Sequence, residues 1–274
     1  MNFEFLERHF AKIGAEIDVR VDPRLRSEFA FDVRRAKQGE VFTLDIRPDV
    51  HMNDDLEFEV LNVQRQAKHL LLMARGRAVR SDTGKQKFLF GHDERHWFVA
   101  AVPEDRGVKD VRDALDALKP EVVLDSQREG RVKPKDWHKR RNAGYLRQGE
   151  WFFLPRPGFE PEAGWLIHKN EPIQRSGGTP HIVDKLVRRG GEVVYVSHRY
   201  PNGLTQAEYR DLIARNTRAK GLAWRTMLRG SEVFAMGKVR HPDHKTIVLP
   251  FWHEVLMSEE PSARGPNVVV QFLD

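Results

Sequence analysis

Residues 233–249 have the sequence VFAMGKVRHPDHKTIVL, and this stretch indicates that strands dominate the fold. Its two apolar runs, Val233–Arg240 and Lys245–Leu249, are typical of paired strands. Between them, the Pro-Asp pair at 242–243 suits the centre of a type I turn. If a two-residue turn closes this hairpin, His241 and His244 form a cross-strand pair with Cβ atoms about 5 Å apart.

Two imidazoles on one face of a hairpin predict a metal site. Asp243 lies between them as an oxygen ligand, and His253 and Glu254 follow a few residues later. Histidine with carboxylate is a ligand set that suits Zn²⁺ or Mn²⁺ with an open coordination position. We therefore predict His241, Asp243 and His244 as metal ligands. The predicted catalytic group is His241, His244, His253 and Glu254.

The same histidine pair has two other interpretations. Without a metal, one imidazole can act as base and the other as acid in attack on a phosphodiester, with Lys238 or Lys245 stabilising the developing charge. Alternatively, the two rings only cap the ends of the strands. The sequence leaves all three interpretations open.

A strongly basic segment separates the two halves of the chain. Residues 126–142, SQREGRVKPKDWHKRRN, contain seven Lys or Arg and two Asp or Glu, a net charge of +5. Residues 1–125 carry −3 and residues 143–274 carry +4, within a total of +6. A charged stretch with almost no apolar residue predicts a connector between two domains, 1–125 and 143–274.

Cations around an aromatic side chain favour nucleic acid as a partner, because cations neutralise phosphates while a ring stacks on an unpaired base. A solvated linker is the plainer alternative. Arg175 is a further candidate for phosphate binding. It begins a Gly-rich stretch, residues 175–179, which would present backbone amides to a phosphate ahead of a predicted helix. The predicted nucleic-acid-binding residues are Lys133, Lys135, Trp137, Lys139, Arg140, Arg141 and Arg175.

The periodicity elsewhere predicts an α+β fold. A helix ending near Gly14 and a helix over 108–119 flank a series of strands in the first half. In the second half, Thr179 and Pro180 predict a helix over 180–189, and the Thr205/Glu208 capping box opens another. A last edge strand is expected at 268–273. The predicted architecture is a strand-rich N-terminal domain with flanking helices, a basic connector, and a mixed α+β C-terminal domain.

A second histidine pair lies in the first half. His92 and His96 surround Asp93-Glu94-Arg95 between two predicted strands, so they are expected to flank a hairpin loop rather than to lie on a helix. Such a pair is able to bind a metal, but acidic residues in a loop also serve simply to solvate a turn.

Composition excludes several classes. The chain of 274 residues contains no cysteine, which removes disulfides, thiolate metal sites and cysteine nucleophiles, and favours the cytoplasm. Neither a signal peptide nor a run of about 18 apolar residues is present, so no membrane partner is expected. The leading hypothesis is a nucleic-acid-binding protein, with phosphodiester cleavage by the His-rich hairpin as an additional hypothesis. The alternatives are a non-catalytic nucleic-acid-binding module and a protein–protein adaptor. A divalent metal is the only cofactor predicted.

Overall fold

A computed structural model describes residues 3–37, 39–53, 55–104, 106–174 and 179–260. These residues divide into two compact units, one of residues 3–124 and 258–260, the other of residues 125–257. Of the described residues, 45% are in strands and 19% in helices, and the strands form several sheets. The predicted α+β class with flanking helices is therefore wrong. The reason is that short turns connect many successive strands, so that strands, rather than helices, contribute most of the buried apolar residues.

The first unit combines two small sheets with short helices. A three-stranded sheet has the order β1-β3-β2, with β1 parallel to β3, and a four-stranded antiparallel meander has the order β4-β5-β6-β7. The elements are α1 (Glu4–Ala11), β1 (Ile17–Val21), β2 (Phe29–Ala36), β3 (Gly39–Ile46), α2 (Pro48–Asn53), β4 (Glu57–Gln64), β5 (His69–Arg75), β6 (Lys85–Asp93), β7 (His96–Val102) and α3 (Val111–Ala117).

Aromatic side chains fill the core of this unit. Phe10, Phe42 and Phe90 are fully buried, and their ring centroids lie 4.9–5.2 Å apart in edge-to-face contacts. Edge-to-face pairs add to the free energy of burial. The helix predicted at the N-terminus is confirmed as α1, and its apolar face supplies Leu6 and Phe10 to this core.

The second unit is built on a six-stranded antiparallel sheet of order β10-β11-β15-β16-β9-β8, beside a small sheet of order β13-β12-β14. Helix α4 (Glu121–Glu129) spans the boundary between the units. The other elements are β8 (Leu146–Gln148), β9 (Trp151–Pro155), β10 (His168–Ile173), β11 (His181–Arg189), β12 (Glu192–Ser197), β13 (Tyr200–Thr205), α5 (Gln206–Arg215), β14 (Arg225–Arg229), β15 (Glu232–Arg240) and β16 (Ile247–Met257), with short 3-10 helices at Pro134–Asp136 and Thr217–Gly221.

The helix predicted over 180–189 is wrong, because this segment is strand β11. It pairs with β10 on one side and with β15 on the other. The β-branched residues Ile182, Val183 and Val187 suit that position, and two neighbouring strands outweigh the local N-cap signal. The capping box at Thr205 and Glu208 is confirmed at the start of α5. The strand expected at 268–273 lies outside the described residues.

The basic segment 126–142 belongs to the second unit. It contains the end of α4 and the 3-10 helix at Pro134–Asp136. The Gln127 side chain is fully buried and donates a 2.7 Å hydrogen bond to the Trp137 carbonyl. An isolated bridge pairs Arg141 with Leu146. These contacts tie the segment to the start of the large sheet.

Candidate metal centre

The loop between β15 and β16 carries His241 and His244. It runs from 241 to 246, and the last strand pair before it is Val239 with Ile247. The connection is thus longer than the two-residue turn considered from sequence. The loop nevertheless folds so that the two rings lie 4.7 Å apart between centroids.

Strand β11 supplies a third histidine, His181, which was not predicted from the sequence as part of this site. Ile182 pairs with Arg240, so one further step along both strands sets His181 beside His241. The centroid of the His181 ring lies 4.2 Å from that of His241 and 5.5 Å from that of His244. One nitrogen from each ring lies within 4.8 Å of the other two. We call these three residues the histidine triad.

His181 is the buried member of the triad. It is 1% exposed, at the edge of the apolar core beneath the large sheet, with the Trp151 ring 6.3 Å away. Within the described part of the chain, neither ring nitrogen has a hydrogen-bond partner. A buried polar group without a partner destabilises a fold by roughly 1–3 kcal/mol. A bound ligand that engages these nitrogens would remove that penalty.

Burial also fixes the charge of His181. Desolvation, with repulsion from His241 and His244, lowers the pKa of His181 to about 3. The ring is therefore neutral at pH 7, as a metal-ligating imidazole must be.

Because residue 149 is a glycine, no side chain fills the space beside the triad. Gly149 lies in the turn between β8 and β9 with a φ of +58°. A Cβ atom at this position would come within 3.0 Å of His244 Nε2 and 3.3 Å of His181 Nε2. Next to it, the buried Gln148 donates from Nε2 to the carbonyls of Val239 and Lys245, at 3.3 and 2.8 Å. The β8–β9 turn thus both anchors the histidine loop and leaves room beside its ring nitrogens.

The geometry differs from that of a metal-bound site in two respects. The His181 ring is inclined by only 24° to His241 and 17° to His244, so the rings stack instead of converging on one point. His241 Nδ1 accepts a 3.1 Å hydrogen bond from the Asp243 amide. Tetrahedral zinc with Zn–N bonds of roughly 2.0–2.1 Å requires nitrogens about 3.3 Å apart. Metal binding would draw the nitrogens together and free His241 from Asp243 or turn its ring.

The structure does not bring His253 and Glu254 into this cluster. His253 lies on β16, opposite Ala235, six residues beyond the start of the strand, which is about 20 Å at the usual strand rise. Its Nδ1 lies 2.8 Å from the Phe251 carbonyl, and burial lowers its pKa. The Glu254 carboxylate pairs with Arg156 at 2.6 Å. Asp243 belongs to the loop, but its carboxylate is not among the ligand atoms that lie within 4.8 Å of one another.

The predicted nucleic-acid-binding residues fall into two groups. Lys133, Lys135 and Arg141 are exposed, as is Lys139, whose ammonium group lies 2.6 Å from Asp136. Trp137 is half-buried and its carbonyl accepts the Gln127 hydrogen bond. Arg140 is also half-buried, and desolvation with repulsion from Arg147 lowers its pKa to about 10. Arg175 lies outside the described residues, and residues 181–189 form strand β11 instead of the expected helix.

Hydrogen bonds of Arg147 connect the basic segment to the turn beside the triad. The Arg147 amide donates to the Arg140 carbonyl at 2.7 Å, and Arg147 Nε donates to the Gly149 carbonyl at 2.8 Å. Gly149 in turn faces His181 and His244. One guanidinium group thus lies against the turn that faces the triad.

Comparison with known protein families, with characterised proteins and with solved structures finds no match to this chain. Among the described helices, none has both the length and the apolar composition to cross a membrane. Function is therefore inferred from the site itself.

Proposed function

We propose that the second unit binds a divalent transition metal ion, of the Zn²⁺ or Mn²⁺ type, through His181, His241 and His244. The observation that carries this proposal is the buried His181 ring, which has no hydrogen-bond partner among the described residues and faces two further imidazoles. Neutral imidazole nitrogens suit these metals, and three protein ligands leave a coordination position open.

The chemistry that follows is hydrolysis of a phosphodiester in nucleic acid. When bound, the metal ion would supply Lewis acidity and a source of hydroxide near neutral pH. Hydrolysis would form a P–O bond to the oxygen of water and break the P–O bond to the leaving oxygen, which would take a proton from solvent. The exposed cations of the basic segment, Lys133, Lys135 and Arg141, would hold the substrate backbone through its phosphates.

Metal loading with matched variants tests the proposal. The full chain, loaded with Zn²⁺ or Mn²⁺ and freed of excess, should retain one ion, and His181→Ala, His241→Ala and His244→Ala should each abolish retention. His198→Ala is the matched control, because His198 is exposed in a turn of the same unit. Retention by all three triad variants, or no retention by the wild-type chain, would contradict the metal site.

Cleavage of a labelled single-stranded oligonucleotide tests the reaction. Activity should be lost with a chelator and restored by Zn²⁺ or Mn²⁺. Activity that ignores the chelator and follows a bell-shaped pH profile would instead support the metal-free acid–base pair. Metal retention without cleavage would leave a binding module, and a chain that binds neither metal nor nucleic acid would fit the adaptor.

A further inference from the structure

The small sheet of the second unit lies at the end of β11 and β15 that is remote from the histidine triad. In the chain it is inserted between these two strands, and it contains β12, β13, α5 and β14. We call residues 192–229 the arm. Because His181 begins β11 and Arg189 ends it, the arm follows about 27 Å along the strand from the triad at the usual strand rise. Binding at the arm is therefore separate from the triad.

Four aromatic rings of the arm form one row. Tyr195 stacks on Tyr209 with ring centroids 4.3 Å apart, and Tyr209 meets Trp224 edge-to-face at 5.0 Å. Trp224 in turn stacks on Tyr200 at 5.5 Å. All four residues are half-buried, so each keeps part of its surface in solvent. A row of rings that reaches solvent is a platform on which further planar rings can stack.

The sheet face beside this row is open. Val193 lies two residues before Tyr195 on β12 and therefore shares its face. Its apolar side chain is nevertheless 52% exposed. Helix α5 thus covers this face at Tyr195, through Tyr209, but leaves the neighbouring position to solvent. A ligand has room to lie along the face next to the rings.

The arm is strongly basic. It contains seven Lys or Arg and three Asp or Glu, a net charge of +4 that equals the net charge of residues 143–274 as a whole. Glu192 pairs with Arg229 at 2.5 Å, and Glu208 belongs to the capping box of α5. Asp211 lies 3.9 Å from Arg215. The other five cations are exposed and form no ion pair with a described residue: Arg199, Arg210, Arg218, Lys220 and Arg225.

Unpaired cations around aromatic rings match single-stranded nucleic acid. A cation is the chain neighbour of three of the four rings, at positions 199, 210 and 225. Unpaired bases stack on aromatic side chains while cations follow the phosphates. A duplex keeps its bases stacked inside and would use the cations alone. An acidic peptide would also leave the rings without planar partners.

We propose that the arm binds single-stranded nucleic acid, with bases stacked on the aromatic row and phosphates held by the five exposed cations. This inference rests on the nucleic-acid partner of the proposed function but not on its metal ion. It deepens that function by adding a second binding surface and by making an unpaired strand, not a duplex, the preferred substrate.

Anisotropy of a labelled oligothymidylate with the metal-free full chain tests the aromatic row. Tyr200→Leu/Trp224→Leu should weaken binding by roughly ten-fold or more, because base stacking on the two rings is lost. The slope of log K against log salt should stay unchanged, because no cation is removed. The control is Phe58→Leu, which removes a half-buried ring from the aromatic cluster of the first unit and should change affinity less than about two-fold.

A charge variant tests the same surface without altering the rings. Arg199→Gln/Lys220→Gln/Arg225→Gln replaces only exposed side chains and should reduce the salt slope by about 2. Arg24→Gln/Arg26→Gln/Arg112→Gln, with the same charge change in the first unit, should keep the wild-type slope. A duplex of equal length should bind the wild-type chain at least about ten-fold more weakly than the single strand.

The proposal is overturned if the arm charge variant keeps the wild-type slope, or if Tyr200→Leu/Trp224→Leu binds as tightly as the wild type. It is also overturned if a duplex or an acidic peptide binds as tightly as the single strand. Weakening by Lys133→Ala/Lys135→Ala/Arg141→Ala alone would rule out the arm and leave the proposed function in place. No binding by the wild-type chain would remove nucleic acid from both proposals and leave only the metal site.

Discussion

At the scale of single residues, the central fact is that His181 is buried where a histidine does not help the fold. Its ring lies on the same strand face as Val183, at the edge of an apolar core. An apolar side chain would remove the penalty of two unpartnered nitrogens in the described structure. We propose that this histidine serves binding at a cost in stability, and substitution tests the proposal.

Replacing His181 by Leu should leave the metal-free protein as stable as the wild type, or raise its free energy of unfolding by about 1–2 kcal/mol. Urea unfolding in the presence of a chelator measures this. The same variant should retain no Zn²⁺. A loss of more than about 2 kcal/mol would mean that the imidazole makes structural contacts and is not held for a ligand.

The titration of His181 gives a second residue-scale prediction. Its pKa is about 3 in the folded chain and about 6.5 in the unfolded chain, so the unfolded state binds more protons between these values. Stability therefore falls as the pH falls below about 6.5. Between pH 7 and pH 5 the metal-free wild type should lose about 2 kcal/mol that His181→Leu does not lose. Parallel pH dependence in the two proteins would show that this ring is not kept neutral by burial.

At the scale of elements, two turns meet at the triad: the β15–β16 loop that carries His241 and His244, and the β8–β9 turn at Gly149. The sequence predicted the strands on both sides of the β15–β16 loop, because alternation and turn residues are local signals. It predicted the pair in the loop for the same reason. It missed His181, because the Thr-Pro pair before it favoured a helix, and only the register of β11 against β15 brings His181 beside His241. That register is a long-range property. A clue was present in the alternation of the buried His181 and Val183 with the half-buried Ile182 between them.

Gly149→Ala separates backbone strain from occlusion of the site. The Cβ atom would lie 3.0 Å from His244 Nε2, in a backbone with φ of +58°, so we expect lower stability and at least about ten-fold weaker Zn²⁺ binding. The matched control is Gly190→Ala, with φ of +66° and open space around its Cβ position. Both variants should lose about 1 kcal/mol of stability from strain. Calorimetry with Zn²⁺ should show weakened binding for Gly149→Ala alone, and equal Zn²⁺ affinities in the two variants would place the ion elsewhere.

At the scale of the whole molecule, charge is distributed so that the second unit is cationic and the first contains a slight excess of acid. The distribution of charged residues along the sequence already shows this difference between the two halves, and it also shows the basic segment. It did not indicate which cations are exposed, because that depends on packing: Arg140 is half-buried next to Arg147, whereas Lys133, Lys135 and Arg141 face solvent. The exposed three should make the phosphate contacts.

Replacing Lys133, Lys135 and Arg141 together by Ala should therefore reduce the slope of log K against log salt for single-stranded DNA by about 2. The effect should not depend on base sequence. Fluorescence anisotropy at several salt concentrations measures it, and the triple variant Arg24→Ala/Arg26→Ala/Arg112→Ala, with the same charge change in the first unit, is the control. An unchanged slope in the basic-segment variant would remove this segment from the nucleic-acid interface.

The measurement that tests the metal centre most directly is X-ray absorption at the zinc edge on the Zn²⁺-loaded full chain. Zinc bound to the triad should show three imidazole nitrogens at roughly 2.0–2.1 Å and one further light atom, consistent with water. His241→Ala should remove the imidazole scattering pattern, while His198→Ala should keep it. A zinc shell of oxygen atoms without imidazole scattering, or an imidazole pattern that survives the loss of His241, would contradict the proposed centre.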